Sequence, residues 1–375
     1  MKLDTVKMDI YKKYLKFKFR KGKLRGYIRK ISRDRLLSLG SENNLGSVYK
    51  ISPKEKGNEL IVAALQIKAL LYDDIGDFMD KMNELVFKAV QGGAQLIVFP
   101  ENNLSQLLGL FPGIKSGSGI ESGKENEGEK GDDSLLTELD EDIKISDILG
   151  FTGKIIKKIS SVIFSELASR YKVYIMSGTG MFPANKGIFN TGFLYGPDGA
   201  LIGQQKKTHL MPQEREWGLK RGDKLDVFDT NIGRLALPVC MDASYFESFR
   251  ILTIREAEIV MVPISNPDPE YNYWTAMRGI WGRVQESGVY GVKSALVGQF
   301  LGFTFTGQAG IYAPLEMTGD QSGIVLESRS ADQEEVLTAK LDLQLLRKYR
   351  LSAERLNNKK LWERYYPQVY YSVKF

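Results

Sequence analysis

Two hydrophobic periodicities alternate along the chain from Glu59 onward. Leu60-Ile61-Val62-Ala63-Ala64-Leu65-Gln66-Ile67 is a short, almost unbroken apolar run, which predicts a buried strand. Phe78, Met82, Leu85 and Ala89 then recur on one helical face, and Gly92-Gly93 predicts where that helix stops. A second apolar run, Leu96-Ile97-Val98-Phe99, leads into Pro100-Glu101. Strand, helix and strand in quick succession predict an α/β domain.

The pattern continues with a helix near 151–170 and strands at 172–178, 187–195, 224–229 and 234–240. Ser244 to Glu247 has the S-x-x-E form of a capping box, so a helix is expected almost immediately after Cys240. A strand at 258–262 precedes a helix from about Glu270 that carries Trp274, Met277, Trp281 and Val284 as a stripe for core or interface packing. Strands near 290–297, 308–313 and 336–341 complete the body. The last part of the chain predicts a helix with an aromatic, basic tail, and no internal repeat is visible.

Composition narrows the chemistry. At 43% hydrophobic and 26% charged, the chain reads as globular and not as disordered, collagen-like or multi-span. Its only histidine and only cysteine are His209 and Cys240, which excludes disulfide frameworks, zinc fingers and histidine-rich metal centres. No acidic calcium-loop pattern supports a carboxylate-only metal site, so no metal is expected. A lone thiol suits a reducing compartment, and no apolar run has the length of a secretory or membrane-spanning segment; a cytoplasmic location is expected.

Charge divides the chain. Residues 1–57 carry a net +12, leaving −6 for the remainder of a chain whose total is +6. The expected organisation is a basic extension at 1–57, a body at 58–350 and a tail at 351–375. An insertion at 113–147, rich in Gly, Ser, Glu and Asp, is expected to be a mobile surface segment. The alternating Leu15-Lys16-Phe17-Lys18-Phe19-Arg20 makes contact with an anionic surface a possible use of the extension. Within the insertion, Gly117 to Lys124 lacks both the first glycine and the Ser or Thr of a phosphate loop and is rejected as one.

The residues with chemical potential stand at strand ends. Cys240 closes the run Leu235-Ala236-Leu237-Pro238-Val239 before the expected helix, where unpaired backbone N–H groups favour a thiolate and can hold an oxyanion. Glu101 closes another strand and is a candidate general base, because strands of one sheet bring such termini to a common edge. In Gln205-Lys206-Lys207-Thr208-His209 an ammonium could stabilise a tetrahedral oxyanion, and on an extended segment only one of the two lysines can face the site. His209 with Cys240 would suggest a protease pair, but the surrounding lysines and Glu101 favour a structural histidine.

Together these residues resemble the carbon–nitrogen hydrolase family, or nitrilase superfamily, over about 60–350. The likeness is carried by Gln66, by Val98-Phe99-Pro100-Glu101, by Lys207-Thr208-His209-Leu210 with Glu214, and by Val239-Cys240-Met241-Asp242 with Phe246-Glu247. Arg283-Val284-Gln285-Glu286 looks like the family's Arg-Ala-x-Glu helix. The resemblance implies an α/β fold of the four-layer αββα sandwich type and a Glu101, Lys207, Cys240 triad assisted by Glu214. It further implies an oxyanion donor in the Met241 backbone N–H, no metal or organic cofactor, and at least a homodimer. Met241 and Ala243-Ser244-Tyr245 depart from the family's usual residues. The expected reaction is hydrolysis of an amide or N-carbamoyl bond in a small non-peptide molecule, through a cysteine thioester, releasing ammonia or an amine. Asp242 motivates this choice, because Cys-x-Asp resembles the amidase and carbamoyl-hydrolase branches; the alternatives are a nitrilase or a non-catalytic scaffold held on an anionic surface.

Overall fold

Strand β1 (Glu59–Lys68) shows how the layers are built, because both of its faces are buried and they face different cores. Ala63, Leu65 and Ile67 meet helices α1 (Ile75–Gln91) and α2 (Ile145–Tyr171), while Leu60, Val62 and Ala64 turn into an inner core built mainly from strands. That inner core also receives Leu96 and Val98 of β2 (Leu96–Val98) and Tyr174 and Met176 of β3 (Tyr174–Ala184). From the other half come Ile259 and Met261 of β8 (Ile259–Ile264) and Val292 of β9 (Tyr290–Phe300). The opposite faces of these strands, including Val260 and Val262, are covered by α4 (Phe246–Ile254) and α5 (Tyr273–Ser287). Period-two burial on both faces thus yields helix, sheet, sheet, helix, the expected α/β four-layer αββα sandwich.

The computed structural model describes residues 59–111, 114, 145–185, 187–352 and 358–372. The basic extension at 1–57 and most of the acidic insertion at 113–147 lie outside the described residues. The main strand path runs β5-β4-β3-β2-β1-β9-β8-β7-β6, with β4 at Gly187–Tyr195, β5 at Leu201–Lys206, β6 at Val227–Thr230 and β7 at Gly233–Ala236. β1 pairs in parallel with β2 and, farther along, with β9, and antiparallel with β13 (Glu335–Asp342). The short β10 (Phe303–Phe305) and β11 (Gly310–Tyr312) both pair with β9, and β12 (Ile324–Glu327) pairs with β11. Among the described residues, no helix is long and apolar enough to cross a membrane.

Most predicted elements appear with shifted ends. Phe78, Met82, Leu85 and Ala89 are all fully buried on α1, which Asp74 caps through its carboxylate and Gly92 terminates. α2 starts at Ile145, inside the stretch expected to be surface insertion, and the chain closes with two helices, α6 (Leu343–Leu351) and α7 (Lys359–Ser372), where one was expected. Of the expected stripe, Met277 and Val284 join Ile280 in the buried face of α5, whereas Trp274 is 78% exposed in the single chain and touches Tyr273.

The expected capping box does not form. Ser244 ends a 3-10 turn, Cys240–Ser244, and α4 begins at Phe246 with Tyr245 at its N-cap and no side-chain cap bond. The Asp242 carboxylate accounts for the difference. It accepts a hydrogen bond from Val239 N–H at 2.9 Å, which tightens the chain into the turn before the helix can start.

Candidate active site

Four chain segments converge at one edge of the sandwich. Glu101 follows β2, Lys207 follows β5, Glu214 lies on the short α3 (Pro212–Glu216), and Cys240 opens the 3-10 turn after β7. The Glu101 turn approaches β3 closely, because Gly178 there has φ +77° and a Cβ on it would lie 2.2 Å from the Pro100 carbonyl oxygen. Glycine meets both demands, the left-handed backbone and the close approach. Asn102 (φ 60°) and Cys240 (φ 48°) also hold left-handed conformations that non-glycine residues seldom adopt, a strain typical of functional turns.

Lys207 is 2% exposed and bridges two carboxylates, Glu101 Oε1 at 2.9 Å and Glu214 Oε2 at 2.7 Å. Both glutamates are buried and multiply hydrogen-bonded. Glu101 Oε2 accepts from the Ser265 N–H at 3.0 Å and its hydroxyl at 2.9 Å, and Glu214 Oε2 accepts from the Met211 N–H at 2.9 Å. Asn190 on β4 donates from one amide nitrogen to Glu101 Oε1 at 2.8 Å and to Glu214 Oε1 at 2.9 Å. Two carboxylates, one ammonium and neutral donors form a closed network that fixes where each oxygen points. Lys206, one residue earlier, turns the other way and sits over the Phe189 ring at 3.9 Å.

Electrostatics set the resting proton positions. Burial works against the charge on Lys207, but the carboxylates of Glu101 and Glu214 outweigh it and lift its pKa above the lysine range, so it stays an ammonium. Burial pushes the Cys240 thiol well above the ordinary cysteine range, and Glu101 adds to this by charge and by a side-chain hydrogen bond, with Lys207 opposing. The thiol therefore keeps its proton at rest, beside a carboxylate that can take it. This differs from the preformed thiolate expected of a helix N-terminus, because Cys240 starts a 3-10 turn next to an anion.

Asp242 is wholly buried and does not present its carboxylate to the site as a substrate contact. Besides Val239, it accepts from the Thr208 N–H (3.0 Å) and hydroxyl (2.7 Å) and from the His209 N–H (2.7 Å), with His209 Nδ1 at 3.0 Å. It thereby ties the residues after Lys207 to the residue before Cys240. His209 stacks on Tyr245, with ring centroids 4.2 Å apart, and serves this structural clamp.

A family model described as carbon-nitrogen hydrolase matches residues 61–351. The chain belongs to the carbon–nitrogen hydrolase family. It is 27% identical over 273 residues to a nitrilase of Pyrococcus abyssi, covering 72% of this chain and 86% of that one. The probable hydrolase YhcX of Bacillus subtilis is 30% identical over 223 residues, a match that spans 58% of this chain but only 42% of the Bacillus protein. A solved carbon–nitrogen hydrolase from Helicobacter pylori superposes with TM-score 0.61 at 19% identity, covering 84% of this chain and 99% of that one. An amidase from Nesterenkonia superposes with TM-score 0.57 at 16% identity, covering 81% and 96%. Membership makes this carbon–nitrogen hydrolase a hydrolytic enzyme.

All four side chains singled out from sequence, Glu101, Lys207, Glu214 and Cys240, meet in this cluster. Asn190 and Ser265 were missed. The one local signal for Asn190 is an amide inside the otherwise apolar run Gly187-Ile188-Phe189-Asn190, and Ser265 shows none beyond following a strand.

Proposed function

We propose that the enzyme hydrolyses an amide bond of a small molecule through a thioester on Cys240. The observation that carries this reading is Lys207 held between Glu101 and Glu214, with Cys240 opening the turn that brings its thiol to Glu101. Glu101 takes the thiol proton as Sγ attacks the carbonyl carbon, so charge separation is deferred until the new bond forms. The Lys207 ammonium and the Met241 N–H stabilise the resulting oxyanion. Glu101 then delivers its proton to the leaving nitrogen, the carbon–nitrogen bond breaks, and ammonia or an amine departs. Water, deprotonated by Glu101, attacks the thioester; collapse releases the acid, and the thiolate recovers its proton from Glu101. Glu214 and Asn190 hold Lys207 and Glu101 in register throughout.

A nitrile shares the first attack but leads to a thioimidate, so amide and nitrile pairs with identical side groups decide between the two. The test is ammonia release across such pairs, with intact-mass detection of an acyl adduct on quenched enzyme. Higher kcat/KM for every amide, with an adduct that disappears in Cys240→Ala, is expected. Consistently higher values for the nitriles would overturn the amide assignment and leave the thioester chemistry standing.

A further inference from the structure

Lys293 is 1% exposed, and its ammonium has no hydrogen-bond partner among the described residues. It stands at one end of a row across three strands: Gly310 on β11 is its partner, and Glu327 on β12 is the partner of Gly310. The missing side chain in the middle makes room for a ring. A Cβ on Gly310 would lie 2.3 Å from the Tyr312 hydroxyl oxygen, so the phenol of Tyr312 crosses the glycine. Lys293 Nζ lies 5.3 Å from the centre of that ring, and the hydroxyl donates to Glu327 Oε1 at 2.6 Å. A buried ammonium and a carboxylate therefore share one phenol as their spacer.

Glu327 holds a second phenol. Tyr273, the first residue of α5, donates its hydroxyl to Oε2 at 3.1 Å. Three more bonds fasten the segment that leads from β8 to α5. Thr306 donates its N–H to the Asn266 carbonyl at 3.2 Å and its hydroxyl to the Asp268 carbonyl at 2.7 Å, and Tyr271 donates to Gln308 Oε1 at 2.7 Å. At the other end of this segment is Ser265, whose N–H and hydroxyl both go to Glu101 Oε2. Ser265 lies one residue past β8, beyond the last ladder pair of Ile264 with Ala295. The sheet holds it from one side, and where residues 266–273 are tied sets it from the other.

Resting on the reading of Glu101 as the general base, we infer that Glu327 is a positioning residue for the reaction. Through the Tyr273 hydroxyl and residues 266–273 it fixes Ser265, and Ser265 fixes the carboxylate of Glu101 toward the Cys240 thiol. Lys293 supplies the opposite charge across the Tyr312 ring that draws Glu327 to this place.

The experiment is a double-mutant cycle with two readouts. Tyr273→Phe removes one hydroxyl and keeps the ring, and Glu327→Gln keeps the shape of the side chain. In steady-state kinetics on the best amide, each is expected to lower kcat about tenfold with KM within about twofold, a fraction of the loss for a misplacement of about 1 Å. Ser265→Ala is expected to lose a similar factor. In the Ser265→Ala background, Tyr273→Phe should cost less than about threefold more, because both changes remove the same restraint. Losses that multiply to about 100-fold show independent effects and overturn the inference, as does a kcat for Tyr273→Phe and Glu327→Gln within about threefold of wild type. If the glutamine variant does not fold, Tyr273→Phe carries the test. The second readout needs no turnover. Cys240 is the only thiol of the chain, so alkylation by iodoacetamide, followed by intact mass, reports on it alone. Tyr273→Phe and Ser265→Ala are expected to change its rate in the same direction, and the double variant no further. That result supports the positioning role even if no amide is hydrolysed, an outcome that would sink the proposed reaction alone. An alkylation rate unmoved by Tyr273→Phe overturns the inference.

Discussion

Replacing Asp242 by asparagine alters a buried carboxylate by one group, and the cost can be worked from the hydrogen bonds each oxygen accepts. Oδ1 serves Thr208 and His209, whereas Oδ2 serves the Val239 N–H at 2.9 Å and shares the Thr208 N–H at 3.3 Å. Asparagine can keep one set. With its oxygen at Oδ1, its NH₂ faces the Val239 N–H, donor against donor; flipped, it abandons Thr208 and His209. An orphaned buried donor costs about 1–3 kcal/mol, and each surviving bond loses its charge assistance, worth about 1 kcal/mol. With three bonds surviving at Oδ1, the sum is about 4–6 kcal/mol of stability, visible as a lower melting temperature. The catalytic consequence is separate. Val239 precedes Cys240, whose φ of 48° is strained, so releasing Val239 lets the thiol relax away from Glu101 and Lys207. A misplacement of about 1 Å costs roughly 10²-fold. The expected result is therefore kcat down about 100-fold with KM little changed. The assay is steady-state kinetics on the best amide beside thermal melting of both proteins. If the variant melts lower yet keeps kcat within about threefold of wild type, Asp242 serves stability alone and the positioning argument fails.

Cys240→Ala is expected to abolish turnover while melting close to wild type, since it removes the nucleophile and little packing; substantial residual hydrolysis would rule out the covalent route. Lys207→Ala should lower kcat by about 10²–10³, whereas Lys206→Ala, which removes only a contact on the Phe189 face, should change it by less than about threefold; kinetics on the two variants side by side checks this. Lys293 is fully enclosed over the Tyr312 ring, its ammonium has no hydrogen-bond partner among the described residues, and burial pushes its pKa down to about 8, with Glu327 only partly opposing. Its folded pKa lies below its unfolded value, so the unfolded chain binds more protons between about pH 8 and 10.5, and this residue's contribution to stability rises with pH across that window. Lys293→Met should raise stability at pH 7 by on the order of 2–3 kcal/mol and remove that rise; denaturant unfolding at pH 7 and pH 10 measures both.

Much of the layered fold was legible in the sequence because burial on two faces leaves unbroken apolar runs, as in β1, β2 and β8, and burial on one helical face leaves the stripe Phe78, Met82, Leu85, Ala89. Element ends were less legible, since they depend on partners far away: Ser244 has the right local pattern for a cap, yet Asp242 takes over that turn because Thr208 and His209 stand across from it. Likewise Trp274 keeps the helical period of its stripe but projects beyond the part of α5 that another layer covers.

The sequence alone determined which chemistry was available. It holds one thiol and one imidazole, and its carboxylate and ammonium groups are placed at strand ends, where a sheet must gather them. Only the tertiary structure decided how those groups act. Placing Glu101 and Glu214 around one buried ammonium keeps Lys207 charged, and burial beside Glu101 holds the Cys240 thiol above the ordinary cysteine range. Asn190 entered the site from a strand whose local pattern is apolar, Ser265 from the residue just after another, and Asp242 proved to be a brace beneath the nucleophile. The physical reason is common to all three. A pKa, a hydrogen-bond partner and a cavity wall are properties of the space between segments remote in sequence, and hydrophobic periodicity along one segment carries no record of what lies across that space.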